Sequence, residues 1–370
     1  MSWIEKYGHG GDLDSAARSF RIEKADLVDF SANINPLGPP KKVLERLQTE
    51  LMNIIHYPDP AHRGFVAKLA EKLAIDPEMI IVGNGAAECI ALAILGLSPK
   101  SIGVIRPCFS EYEQCAKKFQ IEVKSVTGNF ENNFKAHKHE LLFLFSETDL
   151  VFIGHPNNPT GIPYQFAELL EMAGWTENTN TYLVIDEAFL DFLPSKRKLT
   201  LLHMLNEFPK VILLRSMTKF YAIPGLRLGF AVAHPDVVKK MKEKQVTWSV
   251  NHLALVAGEM CLTEEEYEQE TIEFIETERT YLLEELKNLA GLVVLPGEAN
   301  FLFVRLPGPM KASDFQYDLG CNGIMIRNCS MYPGLTSQDF RIAIRTREDN
   351  DRLLKAMKKV LDNRRNGTWG

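Results

Sequence analysis

Ser216-Met217-Thr218-Lys219 places one lysine among small hydroxyl residues, just after the apolar run Val211-Ile212-Leu213-Leu214. Arg227 follows eight residues on, inside the turn Pro224-Gly225-Leu226-Arg227-Leu228-Gly229. An amine that condenses with an aldehyde must be neutral part of the time. Burial and a neighbouring cation both lower its pKa. Hydroxyls and a guanidinium beside it suit a phosphate. An aldehyde and a phosphate in one ligand describe pyridoxal phosphate. Alone, the segment also fits a surface lysine after a strand.

Three other loops carry matching chemistry. Gly83-Asn84-Gly85-Ala86-Ala87-Glu88 follows one strand-like run and opens a helix-like one. Small residues there let backbone N–H groups approach a phosphate at the positive end of the helix dipole. Asn157-Asn158-Pro159-Thr160-Gly161 offers an amide that can donate to a phenolate oxygen, or a plain Pro-Gly turn. Asp186, in Asp186-Glu187-Ala188-Phe189, can hold a protonated pyridine nitrogen, or cap a helix. Each signal is weak by itself. Their order along the chain is what independent turns do not produce: phosphate cradle, ring-oxygen donor, ring-nitrogen partner, lysine.

The elements that must position these groups are legible. Strand-like runs fall at 80–82, 102–105, 123–126, 151–153, 182–185, 211–214 and 228–232, with helix-like stretches such as 86–95, 111–119 and 165–173 between them. Continuous apolar strands that alternate with helices predict an α/β fold, with a mostly parallel seven-stranded sheet covered on both faces. Ligands of such sheets bind beyond the carboxyl ends of the strands. After residue 235 the pattern changes to a long polar helix (263–289), strands at 292–295, 301–304, 324–326 and 340–344, and a last helix near 348–361. The organisation expected is an extended arm over 1–40 that reaches the active site, a large cofactor domain over 41–245, and a smaller α+β domain over 246–370.

Hydrophobic residues make up 45% and charged residues 24% of the 370, the profile of a chain with a large core. The net charge of -6, with both signs interspersed, argues against a nucleic-acid surface. The six cysteines show no CxxC spacing, so no metal site is expected, and reduced thiols suit a cytoplasmic protein. No stretch approaches the ~20 apolar residues of a membrane span, and the start shows no signal-peptide pattern.

The order GNG, NNPTG, DEAF, SMTK, PGLRLG resembles the fold type I pyridoxal phosphate enzymes, specifically the class I/II aminotransferase superfamily. The likeness covers essentially the whole chain. Within it, Gly8-His9-Gly10-Gly11, Asp29-Phe30-Ser31-Ala32-Asn33-Ile34-Asn35-Pro36-Leu37-Gly38, Lys219 to Gly229, Trp248-Ser249-Val250-Asn251 and Tyr332-Pro333-Gly334-Leu335 resemble the decarboxylases that act on L-threonine O-3-phosphate in cobalamin biosynthesis. These are relatives of the histidinol-phosphate aminotransferases.

That resemblance implies roles. Lys219 would carry the cofactor and Asp186 would pair with its ring nitrogen. Asn158 would contact the ring hydroxyl and also substrate, and Phe109 would stack on the ring. Gly85, Ala86, Ser216, Thr218 and Arg227 would hold the phosphate. Tyr57 would reach that phosphate from the neighbouring subunit of a homodimer. His9, Gly10, Asn33, Arg327 and Arg341 would bind a small phosphorylated amino acid, and the anion taken by each arginine stays open. Arg345 and Arg347 read as structural. Phe189 stands where the aminotransferases of this group usually have a tyrosine, which points toward the decarboxylase. The rival implications are a histidinol-phosphate aminotransferase and, more remotely, a non-catalytic pyridoxal phosphate-binding regulatory module.

Overall fold

Most strands are short runs of β-branched and large apolar residues buried on both sides, while those at 28–29 and 122–127 are only partly buried. In this computed structural model, which describes residues 10–289 and 291–365, the earlier strands are β1 (Val28–Asp29), β2 (Ile80–Gly83), β3 (Ser101–Arg106), β4 (Glu122–Thr127), β5 (Leu150–Gly154), β6 (Tyr182–Asp186), β7 (Val211–Ser216) and β8 (Gly229–Ala233). β2 to β8 form one seven-stranded sheet in the order β2-β8-β7-β6-β5-β3-β4. Neighbours run parallel except at β8, which is antiparallel to both β7 and β2. Successive residues face opposite layers. In β6, Leu183 and Ile185 join one apolar cluster and Val184 the other. Helices Ala86–Leu97, Ser110–Lys118 and Pro235–Lys242 cover the second face, and Lys138–Glu147 and Phe166–Thr179 cover the first.

The reversal of β8 has a chemical consequence. Its beginning lies at the same edge as the ends of β2, β3, β5, β6 and β7. Arg227 therefore meets Gly85, Phe109, Asn158, Asp186 and Lys219, each of which ends or follows a parallel strand. This is the edge where such sheets bind ligands.

The second unit is a four-stranded antiparallel sheet built from β9 (Val293–Val294), β10 (Phe301–Arg305), β12 (Arg327–Asn328) and β13 (Asp339–Ala343), in the order β12-β13-β10-β9. Helices Glu265–Asn288, Ala312–Gly320 and Arg347–Arg365 accompany it. The strand expected at 324–326 is split. β11 (Ile324–Met325) pairs in parallel with β1, and the chain changes partner at Ile326 before β12 joins β13.

Residues 10–40 depart from the expected extended arm. Leu13–Phe20 is an α-helix, capped by Asp12, whose carboxylate accepts from the Ser15 N–H at 3.0 Å. Ala16 and Phe20 are buried with Met325. Phe20 lies so close over Gly320 that a β-carbon there would come within 2.2 Å of its ring. Tertiary contact, not helix propensity, holds this short helix. Residues 31–40 do run as irregular chain. Among the described residues no helix is long and apolar enough to cross a membrane.

Candidate active site

Lys219 sits in a single helical turn, Met217–Phe220, at the end of β7. Its Nζ donates to Ser216 Oγ at 3.1 Å, and Ser216 Oγ lies 2.8 Å from Thr218 Oγ1. Burial, then the charges of Arg227 and Arg341, bring its pKa down to about 8 against the opposing pull of Asp186. A useful fraction of neutral amine therefore exists near neutral pH.

Asp186 ends β6. Its Oδ2 accepts from the Tyr112 hydroxyl at 2.7 Å and its Oδ1 from the Ala188 N–H at 3.0 Å. Burial pushes the carboxyl pKa up, and Tyr112, the Ala188 N–H and Lys219 pull it back. The helix-cap alternative is not realised, since only a short 3-10 turn at Leu190–Phe192 follows.

Gly85 precedes helix Ala86–Leu97 with φ +79°, a conformation that suits glycine. A β-carbon there would stand 2.6 Å from Arg227 Nη2. A β-carbon on Gly229 would stand 2.4 Å from the Ala86 nitrogen. Arg227 and the N–H groups of the helix start thus close on each other, an anion cradle of the helix-terminus kind.

The two asparagines divide their work. Asn157 Nδ2 donates to Pro107 O at 3.0 Å and to Thr160 Oγ1 at 3.1 Å, which fixes the turn. Asn158 lines the cavity, and its Oδ1 accepts from Arg341 Nη1, which leaves Nδ2 as its donor. Arg341 Nη2 donates to Ser31 O at 2.8 Å.

Arg341 and Arg327 are direct partners in the β12–β13 register. Both are buried and both line the same cavity. Arg327 lies 5.7 Å from the Tyr332 ring and Arg341 5.1 Å from Phe301. Like charges opposed across strands cost stability, and an anion bound between them would offset that cost.

These groups surround one cavity of about 480 Å³, an ordinary size for a small-molecule site. Of the residues singled out in the sequence, Gly10, Asn33, Ala86, Phe109, Asn158, Asp186, Thr218, Lys219, Arg227, Arg327 and Arg341 line it. Gly85 and Ser216 stand directly behind that lining. The buried Oδ1 of Asn33 has no hydrogen-bond partner among the described residues, so a donor on a ligand would satisfy it. His9 lies outside the described residues. Arg345 and Arg347 are committed to Asp349 and Glu278. Tyr57 does not join the cavity of its own chain. It is 80% exposed and stacks on Trp248 at 4.6 Å in a separate groove.

Sequence reasoning missed Tyr112, Ser31 and Tyr332 as lining residues. Tyr112 stands three residues after Phe109, a spacing that puts both on one side of a helix start, and this was its available signal.

The family model for aminotransferase class I and II matches residues 25–357. The chain belongs to the class I and II aminotransferase family. Within reach of that family, the threonine-phosphate decarboxylase of Salmonella typhimurium is 36% identical over 354 residues, 95% of this chain and 96% of that protein. The crystal structure of histidinol-phosphate aminotransferase from Clostridium acetobutylicum superposes with a TM-score of 0.85 at 31% identity, over 91% of this chain and 100% of that one. The histidinol-phosphate aminotransferase of Sinorhizobium meliloti, solved in complex with pyridoxal-5'-phosphate, shares the fold with a TM-score of 0.85 at 20% identity, over 95% of each chain.

The cavity fits the family's cofactor. Arg227, the Ala86 backbone, Thr218 and Ser216 gather donors for a phosphate at one end, Lys219 offers an amine, and Asp186 a buried carboxylate. A β-carbon at Gly85 would intrude on the phosphate end.

Proposed function

We propose that this protein is a pyridoxal phosphate-dependent decarboxylase. It converts L-threonine O-3-phosphate to carbon dioxide and (R)-1-amino-2-propanol O-2-phosphate, a step that supplies the nucleotide loop of cobalamin. The observation that carries this reading is the opposed pair Arg327 and Arg341 on the wall that faces Lys219. It is a site for a substrate with two anionic groups. The 36% identity to a threonine-phosphate decarboxylase over nearly the whole chain supports the choice of substrate.

Bound pyridoxal phosphate supplies an aldehyde for the substrate amine and a ring that accepts the electron pair left at the α-carbon. Lys219 would hold the cofactor through its amine. Arg227, Thr218, Ser216 and the Gly85–Ala86 backbone would anchor its phosphate, and Phe109 would pack on its ring. Asp186 would keep a proton on the ring nitrogen. Asn158 Nδ2 would be the donor to the ring oxygen. Arg327, Arg341 and Asn33, together with His9 and Gly10, would grip the anions of the substrate. Their grip would decide which α-carbon bond is set in the position for cleavage. Remote binding energy is thereby turned into orientation. A decarboxylase presents the carboxylate there and an aminotransferase presents hydrogen. Lys219 Nζ would supply the proton that replaces the carboxylate at the α-carbon. Phe189, whose ring lies 5.8 Å from Lys219 Nζ, brings no hydroxyl to this face.

The deciding experiment incubates the holoprotein with L-threonine O-3-phosphate and no keto acid. Equal amounts of carbon dioxide and product amine are expected. Their absence in protein that shows the absorbance of bound cofactor, together with transfer from histidinol phosphate to 2-oxoglutarate, would replace this reading by the aminotransferase one. The likeness to the Clostridium enzyme makes that the second reading.

We propose also a homodimer in which Tyr57 serves the cavity of the partner. Leu51, Met52, Ile54, Ile55, Tyr57, Val246 and Trp248 are all exposed large apolar residues. Ile54, Ile55, Tyr57 and Trp248 line one groove, and such a patch marks an interface. Light scattering should give twice the chain mass. Mixing unfolded Tyr57→Ala and Lys219→Ala chains and refolding them together should restore activity that neither has alone. A monomer, or no recovery in mixed dimers, would refute the shared site.

A further inference from the structure

We infer that Tyr112 is a positioning residue, whose hydroxyl keeps the Asp186 carboxylate charged and aimed at the ring nitrogen of the cofactor. The inference rests on the role proposed above for Asp186.

The geometry is specific. The Tyr112 hydroxyl lies 2.7 Å from Asp186 Oδ2, and the pair is buried. The Tyr112 ring is 1% exposed and has no freedom to turn away. It stacks on Phe152 of the central strand β5, with centroids 5.0 Å apart and planes 15° apart, and it meets Phe109 edge-on at 5.6 Å. The other carboxylate oxygen is held by the Ala188 N–H at 3.0 Å. Each oxygen thus has one fixed donor, and both residues line the cavity.

The chemistry follows from where the protons sit. Burial and the neighbouring carboxylate push the Tyr112 pKa well above its ordinary value. The hydroxyl is therefore the donor throughout the working range. Burial alone would favour a neutral Asp186, and a neutral acid does not hold a proton on a pyridine nitrogen. The hydrogen bond from Tyr112, then that from the Ala188 N–H, oppose burial and favour the anion. Phe109 and Tyr112 open one rigid helix. A single turn of chain therefore sets the contact with the ring face and the orientation of the acid at its edge.

The test uses holoenzyme loaded with pyridoxal phosphate carrying 15N in the ring. Three proteins are compared by NMR: wild type, Tyr112→Phe and Asp186→Asn. Tyr112→Phe deletes one oxygen and keeps the stacked ring, so the fold survives. The wild-type resonance should lie at the protonated-pyridine position, and Asp186→Asn should move it to the neutral one. Tyr112→Phe should move it part of the way and lower kcat about tenfold, the scale of one charge-assisted hydrogen bond. A purely structural tyrosine would lower the melting temperature and leave the resonance in place. If Asp186→Asn moves the resonance and Tyr112→Phe does not, the inference about Tyr112 is overturned while the role of Asp186 stands. If neither moves it, the reading of Asp186 itself is overturned.

Discussion

Lys219→Met should abolish turnover and at the same time make the cofactor-free protein harder to unfold. The activity loss should reach about four to six orders of magnitude, the scale seen when a nucleophile is removed from a covalent mechanism. The bound-cofactor absorbance should go with it. The stability gain comes from desolvation. A lysine brought down to about 8 in the folded chain, from the usual 10.5, penalises folding wherever it is charged in both states. That penalty is about 1–3.5 kcal/mol, with the upper figure set by the full difference in pKa. The sign can be worked out. The unfolded chain binds the extra proton between pH 8 and 10.5, so wild-type stability rises over that window. Below it the advantage of methionine is complete, and above it the advantage vanishes. Methionine keeps most of the volume, so little cavity cost intrudes. Urea unfolding of both apoproteins at pH 7 and near pH 10.5 checks this. Equal differences at the two pH values would refute the lowered pKa of Lys219, and surviving turnover would remove Lys219 from the centre of the chemistry.

Much of this was readable because buried parallel strands announce themselves as unbroken apolar runs. Val151 to Ile153, Tyr182 to Ile185 and Val211 to Leu214 sit where those runs place them. The loops behind them carry the chemistry because the topology puts strand ends at one edge. The direction of β8 was not readable, since composition does not distinguish parallel from antiparallel pairing. Arg227 entered the reading through its turn motif and not through geometry. The opposed pair Arg327 and Arg341 depends on register, which no run of sequence prints. Tyr112 drew no reading from the sequence, because its partner Asp186 is 74 residues away. Helix Leu13–Phe20 was missed because its stability comes from Phe20 against Gly320, a contact across the fold.

Arg341→Lys should cost about two orders of magnitude in kcat/KM and leave the cofactor bound, because lysine keeps the charge and loses the fork. The guanidinium is pinned at two corners, by Ser31 O at 2.8 Å and by Asn158 Oδ1. Its face is turned to Phe301 at 5.1 Å. A compact ammonium cannot hold both corners and an anion together. Each charge-assisted hydrogen bond that is lost is worth about 1.5–3 kcal/mol, or roughly ten- to hundredfold. Arg341→Ala should be worse, and its effect should not add to that of Arg327→Ala, because the two face each other and one substrate. The charge of Arg341 also lowers the Lys219 pKa, so Arg341→Ala, which removes that charge, should shift the rise of activity with pH to higher values. Comparison of L-threonine O-3-phosphate with L-threonine then assigns the anion. A loss confined to the phosphorylated substrate gives Arg341 the phosphate, and an equal loss with both gives it the carboxylate. Undiminished kcat/KM with either substrate would show that the pair binds neither. The likeness between strands β12–β13 and a two-anion site would then be an accident of register.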